Sequence, residues 1–137
     1  MPLIDDFEAR FLLGVPAMDC THREFVEPLN RMAEPGNAAF VYLYQDLINH
    51  TRAHFANEDA LMRQSAFPAS AEHTAEHARI LGELDALRSR LGAGGRIALA
   101  RAFVLEQLPA WFALHAVTMD SALAAHVKAG MKVKAPD

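Results

Sequence analysis

Apolar side chains recur at steps of three and four residues through most of this chain, and the stretches that keep the rhythm are long. That period buries one face of an α-helix and does not fit alternating strands. Met18, His22, Phe25, Leu29 and Met32 make one stripe. Phe40, Leu43, Leu47, His54, Glu58 and Leu61 make a second. His73, His77, Ile80, Leu84, Leu87 and Leu91 make a third, and Val104, Leu108, Trp111, His115, Met119 and Ala122 a fourth. Turn chemistry separates them at Glu34-Pro35-Gly36-Asn37, at Phe67-Pro68-Ala69-Ser70 and at Gly92-Ala93-Gly94-Gly95. Ser70 is suited to capping the helix that follows it, and Gly92 to a helix C′ position. Residues 1–16, ending at Gly14 and Pro16, read as an irregular arm with an apolar patch of Phe7, Phe11, Leu12 and Leu13.

The expectation is an all-α fold, an up-down-up-down four-helix bundle with an N-terminal irregular arm. Helices are expected at about 17–34, 38–65, 70–91 and 96–127, in a single domain spanning 1–137. A chain of this length needs no metal or disulfide merely to fold. Pro28 and Pro109 fall inside the first and last helical stretches. Each removes a backbone donor and crowds the preceding turn, so a kink or a helix start is expected near it.

The stripes are unusual in what else they carry. Five of the seven histidines, His22, His54, His73, His77 and His115, sit on inward faces. Glu58 follows His54 by four residues and shares its face. Asp120 follows His115 by five, which is roughly 140° off in a regular helix. Those two can meet only if the helix loosens locally, for example through a π-bulge. A lone inward histidine is more often a hydrogen-bonded core residue than a ligand. Five of them with two carboxylates on four helices are hard to satisfy mutually, and metal ions would satisfy them together. Imidazole with carboxylate suits iron, manganese or zinc, and seven donors are too many for one ion but right for two.

The remaining polar residues carry plainer expectations. His50 reads as a supporting or surface group, and His126 as solvated. Cys20, two residues from His22, reads as a small buried hydrophobe. Asp5, Asp6, Glu8, Glu83 and Asp85 read as solvated surface. The formal net charge of −4 argues against a nucleic-acid module and against attraction to an anionic membrane. One cysteine excludes an internal disulfide framework and an all-cysteine metal site. No stretch reads as a membrane span of ~18 apolar residues. The acidic N-terminal stretch lacks a basic leader, so the cytoplasm is the expected location.

Together these residues resemble the hemerythrin family, most of all its single-domain bacterial members, the bacteriohemerythrins. His54-Phe55-Ala56-Asn57-Glu58 with Met62 resembles the H-F-x-x-E…M helix of that family. Phe67-Pro68 with His73-x-x-x-His77 resembles its aromatic-proline turn and paired histidines. Trp111-x-x-x-His115-x-x-x-x-Asp120 resembles its last helix, and Gly14-Val15, Asp19 and His22 its opening. The resemblance runs from about residue 7 to about residue 125. Departures are Thr21, where the family usually has Gln, Asp59, where a second Glu is common, and the two prolines.

The resemblance implies a non-haem centre of two iron ions with an oxo or hydroxo bridge. His73, His77 and His115 would bind one iron, His22 and His54 the other, and Glu58 and Asp120 would bridge them. It implies reversible O2 binding at the iron beside His22 and His54, for storage, transport or delivery. Phe25, Phe55, Trp111 and Ala116, with Phe112 and Ala113 nearby, are candidates for an apolar pocket around the gas. Asp19 is a candidate helix cap or ligand support. The alternatives are an O2 or redox sensor with an unidentified protein partner, or a di-iron enzyme acting on peroxide or nitric oxide. No nucleic-acid or membrane partner is expected.

Overall fold

A computed structural model describes residues 3–4, 6–33, 36–91 and 97–134; for residues 9, 37, 38 and 131–134 it describes the backbone alone. Within the arm a single helical turn, α1 (Phe7–Arg10), interrupts the expected irregular course. Four long helices follow: α2 (Pro16–Arg31), α3 (Asn37–Ser65), α4 (Ser70–Leu91) and α5, a continuous helical rod over 97–134. Short connections make successive helices antiparallel neighbours, giving an up-down-up-down bundle. The predicted Gly92 cap, the Glu34-Pro35 half of the first break and the acid Asp5 lie outside the described residues.

The ends of the helices follow local chemistry. Pro16 occupies the first position of α2, where its missing N–H costs nothing. Asp19 does not cap α2 with its own backbone. Its carboxylate reaches back to accept the N–H groups of Leu13 at 2.8 Å and Gly14 at 3.1 Å, tying the arm to the helix. Helix α3 ends with Ala66 in the left-handed region at φ 53, and the Phe67 N–H donates to the Met62 carbonyl at 3.0 Å. That is a Schellman closure, followed by Pro68, which cannot extend a helix.

The two prolines behave differently. Helix α2 runs through Pro28, which is buried, and ends three residues later; no new helix starts there. In α5 a π-turn over Phe103–Gln107 stands just before Pro109, with the Leu108 N–H bonding to the Phe103 carbonyl five residues back. The wider turn makes room for the pyrrolidine ring. A second π-turn spans Ala116–Asp120. It corrects the fourth stripe: Met119 is half-buried and Ala122 exposed, while Leu123 and Ala124 enter the core. The extra residue in the turn advances every later side chain around the axis, so a list of threes and fours loses phase there.

Apolar packing divides into two parts. The larger includes Phe25, Leu29, Phe40, Tyr44, Leu47, Ile80, Leu84, Val104, Leu108 and Phe112, and takes in Ile4 and Phe11 from the arm. The smaller comprises Val15, Met18, Met62, Leu123 and Ala124. On α2, α3 and α5 the buried histidines and carboxylates lie between these two sets in sequence, so the polar layer crosses the bundle nearer the α3–α4 turn. By length and composition Ile97–Gly130 is apolar enough to cross a bilayer, at a window hydropathy of 1.4, contrary to the count of unbroken apolar residues. Here it packs as the fourth bundle helix, with His115 and Asp120 turned inward.

Candidate metal centre

All seven side chains singled out from the stripes meet in this layer. His22, His54, Glu58, His73, His77, His115 and Asp120 are each buried, with exposures between 0% and 4%. Helix α2 contributes His22, α3 His54 and Glu58, α4 His73 and His77, and α5 His115 and Asp120. The four-residue steps stack each of the pairs on α3 and α4 on one face. On α5 the second π-turn takes up the five-residue step and brings Asp120 within 3.1 Å of the His115 Nε2.

The two carboxylates divide their oxygens. Glu58 Oε2 lies 2.9 Å from His22 Nε2 and 2.7 Å from His54 Nε2, whereas its Oε1 lies 3.2 Å from both His73 Nε2 and His77 Nε2. Asp120 Oδ2 lies 3.1 Å from His22 Nε2, and its Oδ1 lies 3.0 Å from His73 Nε2 and 3.1 Å from His115 Nε2. Every one of the five imidazoles therefore presents Nε2 to the centre. Ligand atoms fall into two groups, one of Glu58, His73, His77, His115 and Asp120, the other of His22, His54 and Glu58, each within 4.8 Å.

These contacts are short, yet several are not hydrogen bonds. His77 Nε2, His115 Nε2 and both Asp120 oxygens are buried without a partner in bonding geometry. Buried polar atoms that converge without bonding one another fit a cation between them. Imidazole nitrogen and carboxylate oxygen are suitable donors for iron, manganese or zinc.

In the ion-free cluster the buried carboxylates and imidazoles shift one another's protonation. Burial pushes the His22 and His73 imidazoles down, but Asp120 and Glu58 overcome it and hold both up at about 9. Burial likewise works to raise Glu58, and the His22 and His54 bonds reverse it, leaving the carboxyl well below its ordinary range. Asp120 is also lowered, with its histidine partners outweighing burial and the nearby Glu58 charge. Burial dominates at His77, which is lowered. Two of the five imidazoles, His22 and His73, are thus held toward their protonated form.

Aromatic rings surround the two groups unequally. Phe55 stacks on His77 at 3.8 Å and 2°, and Trp111 stacks on His115 at 4.4 Å and 19°. Around the other group Phe25 meets His54 edgewise at 5.8 Å and Phe112 meets His22 edgewise at 5.6 Å. Phe55 also lies 5.2 Å from His54. Among the pocket candidates, Phe25 thus lies beside the two-histidine group, Phe55 spans both, and Trp111 covers the three-histidine group. Four residues before His115, Trp111 sits one turn beneath that ring and cannot reach His22. Phe112 takes that place. Ala116 is fully buried in the larger core.

Other residues depart from their sequence reading. Cys20 is exposed, with Sγ 3.5 Å from Glu24, because it falls outside the buried arc of Met18, Asp19, Thr21 and His22. His126 is half-buried: its Nε2 donates to the Ser65 carbonyl at 2.7 Å, clasping α5 to the end of α3. His50 is a surface group near Asp46. Asp59, expected to be an exposed acid, is half-buried, and Glu76 carries a contact that the sequence did not suggest. Asp59 lies 3.5 Å from His77 Nδ1, and Glu76 accepts the Trp111 indole N–H at 2.8 Å. Arg79 first, against some burial and together with Trp111, holds Glu76 at about 2. Spacing within one helix could not reveal these links, since Glu76 and Trp111 lie on different helices.

A family model described as the hemerythrin HHE cation binding domain matches residues 13–127. A bacteriohemerythrin from Ralstonia nicotianae is 41% identical over 120 residues, covering 88% of this chain and 85% of that one. The chain belongs to the hemerythrin family. A second bacteriohemerythrin relative, from Stenotrophomonas maltophilia, is 28% identical and spans 85% of this hemerythrin and 77% of its own length. A myohemerythrin from Sipunculus nudus is 29% identical over 118 residues, with 86% and 78% covered. The fold matches the crystal structure of a hemerythrin point mutant at a TM-score of 0.81 and 21% identity, over 93% of this chain and 98% of that one.

Proposed function

We propose that the chain holds two iron ions and binds O2 reversibly at one of them. The division of each carboxylate's oxygens between two sets of imidazoles carries this reading, because a bridging ligand offers one oxygen to each side. His73, His77 and His115 would hold one ion and His22 and His54 the other, with Glu58 and Asp120 shared and an oxo or hydroxo group completing the bridge. When bound, the iron pair supplies the electrons and the coordination position that O2 needs. The chain's own residues do the rest. The unequal histidine count leaves room beside His22 and His54. Phe25 and Phe112 line that side with apolar surface and keep water and anions from a charge-bearing centre. No side chain is required as acid or base. The relatives named bacteriohemerythrin and myohemerythrin support the reading. So does membership of a cation-binding family. We propose the cytoplasm as its location, which agrees with a lone thiol kept reduced.

The test is to reduce the iron-loaded protein without air, admit air, and record the visible spectrum with the iron content. A coloured form that bleaches under vacuum, at two irons per chain, is expected. Immediate, irreversible oxidation would replace storage or delivery with a sensor or a di-iron enzyme. One ion per chain, or zinc alone, would overturn the centre itself.

A further inference from the structure

We infer that Glu76 is a positioning residue for His115 and acts on it through Trp111. The inference rests on the metal reading above and adds a device to it. Like the other four imidazoles of the cluster, His115 lacks the usual means of fixing a ligand ring, since its Nδ1 makes no hydrogen bond to the protein. Its ring is instead laid against the indole of Trp111, nearly parallel at 4.4 Å and 19°. A stack fixes a ring only if the partner ring is itself fixed.

Glu76 does that from the facing helix. Its Oε1 accepts the indole N–H at 2.8 Å. The carboxylate cannot swing away, because Arg79 grips both oxygens: Nη2 donates to Oε1 at 2.7 Å and Nε to Oε2 at 3.1 Å. On its other side Trp111 meets Phe55 edgewise at 6.0 Å, and Phe55 in turn lies flat on His77. One carboxylate on α4 therefore sets the plane of an indole on α5, and that indole sets the plane of a ligand on its own helix. Turning the His115 ring about its side-chain bond would lift the indole and break the Glu76 bond. None of the three residues Glu76, Arg79 and Trp111 offers an atom to the centre.

Trp111 is the single tryptophan of the chain, so its emission reports this one ring without a label. The experiment loads the full-length protein with cobalt(II) alone and follows release to a chelator by cobalt absorbance and by Trp111 emission. The phase belonging to the three-histidine group is the one that disappears in His77→Ala. Glu76→Ala is expected to speed that phase about tenfold, the lower end of what support of a ligand is worth, and to leave the other phase unchanged. Trp111→Phe keeps a stacking ring and loses the donor, so it should match Glu76→Ala, and the double variant should be no faster than either. Glu76→Gln retains an oxygen that accepts the indole N–H but loses one of the two Arg79 contacts, so its release should fall between that of the parent and that of Glu76→Ala.

Equal release from Glu76→Ala and parent would overturn the assignment. So would acceleration of both phases alike, or a Glu76→Gln variant as fast as Glu76→Ala. If the parent chain takes up no cobalt and no iron, the metal reading falls and this device falls with it; parent uptake with an indifferent Glu76→Ala variant removes the device alone.

Discussion

The two groups of imidazoles share two carboxylates but are built to different standards. His77 and His115 lie face to face with Phe55 and Trp111, and carboxylates stand behind them at Asp59 and Glu76. No ring stacks on His22 or His54: Phe112 and Phe25 meet them edgewise and Phe55 meets His54 at a tilt, and the first two belong to a run of aromatics that continues to Phe11 of the arm. Face contact and a tethered neighbour hold a ring in one orientation. Edge contact with apolar rings fills space without gripping. The contrast teaches that face-on bracing is confined to one side of the polar layer: two of the three imidazoles in the larger group are stacked, while the third, His73, meets Phe67 edgewise at 6.5 Å.

The most severe way to break the comparison is to remove what the groups share. Glu58→Ala takes away the carboxylate facing four imidazoles, so both groups should lose their ions, and iron content should fall to background. Retention of an ion at full occupancy would mean that Asp120 suffices to join the groups. Next, His77→Ala and His54→Ala should each cost one ion of two, measured as metal per chain. Dialysis against a weak chelator should then strip the remaining ion from His77→Ala, which holds it at the two-histidine group, while His54→Ala keeps its ion at the stacked group.

A milder change is pH. In the ion-free chain His22 and His73 are held at about 9, above the ordinary imidazole value of 6.5. Their contribution to stability is full below 6.5 and is lost as pH rises through about 9. Glu58 and Asp120 are lowered, so theirs is present above their ordinary values of 4.5 and 3.8 and is lost as pH falls through the lowered ones. His77, lowered chiefly by burial, acts in the opposite sense and in another window: its cost is felt below 6.5 and is relieved as pH rises past that value. The apo protein should therefore lose several degrees of melting temperature between pH 6.5 and pH 9, a range set by those two imidazoles. The metal-loaded protein should stay level there, and metal affinity should rise with pH because the ion displaces protons. Parallel melting curves for both forms would contradict this.

The smallest effect concerns Ala116, buried in the larger core on α5. Ala116 is fully buried, and Ala116→Leu adds side-chain volume against Phe112 and its neighbours. Oxidation of the reduced protein in air should slow by about a few fold, with a modest drop in melting temperature from overpacking. An unchanged oxidation rate would show that access is set elsewhere.

Much of the fold was legible because helical period is a local property. The stripes placed α3 over Asn37–Ser65 against an expected 38–65, and α4 over Ser70–Leu91 against an expected 70–91. The five-residue step from His115 to Asp120 even flagged the turn that had to loosen. Where the local rule changed, the reading slipped. Two π-turns shifted the last stripe and exposed Ala122, and the turn in the arm was missed. Cys20 and His126 were misjudged because exposure depends on which arc of a helix its neighbours cover.

Spacing and residue type by themselves determined that four helices would each bring imidazole or carboxylate to a common interior. Each of those facts depends on one helix and its 3.6-residue turn. Which oxygen of Glu58 faces which imidazole, which ring lies flat on which ligand, and that Glu76 reaches Trp111 were decided only by tertiary structure. Those relations depend on how far each helix slides along, and rotates against, its neighbours, and side-chain packing between helices fixes both.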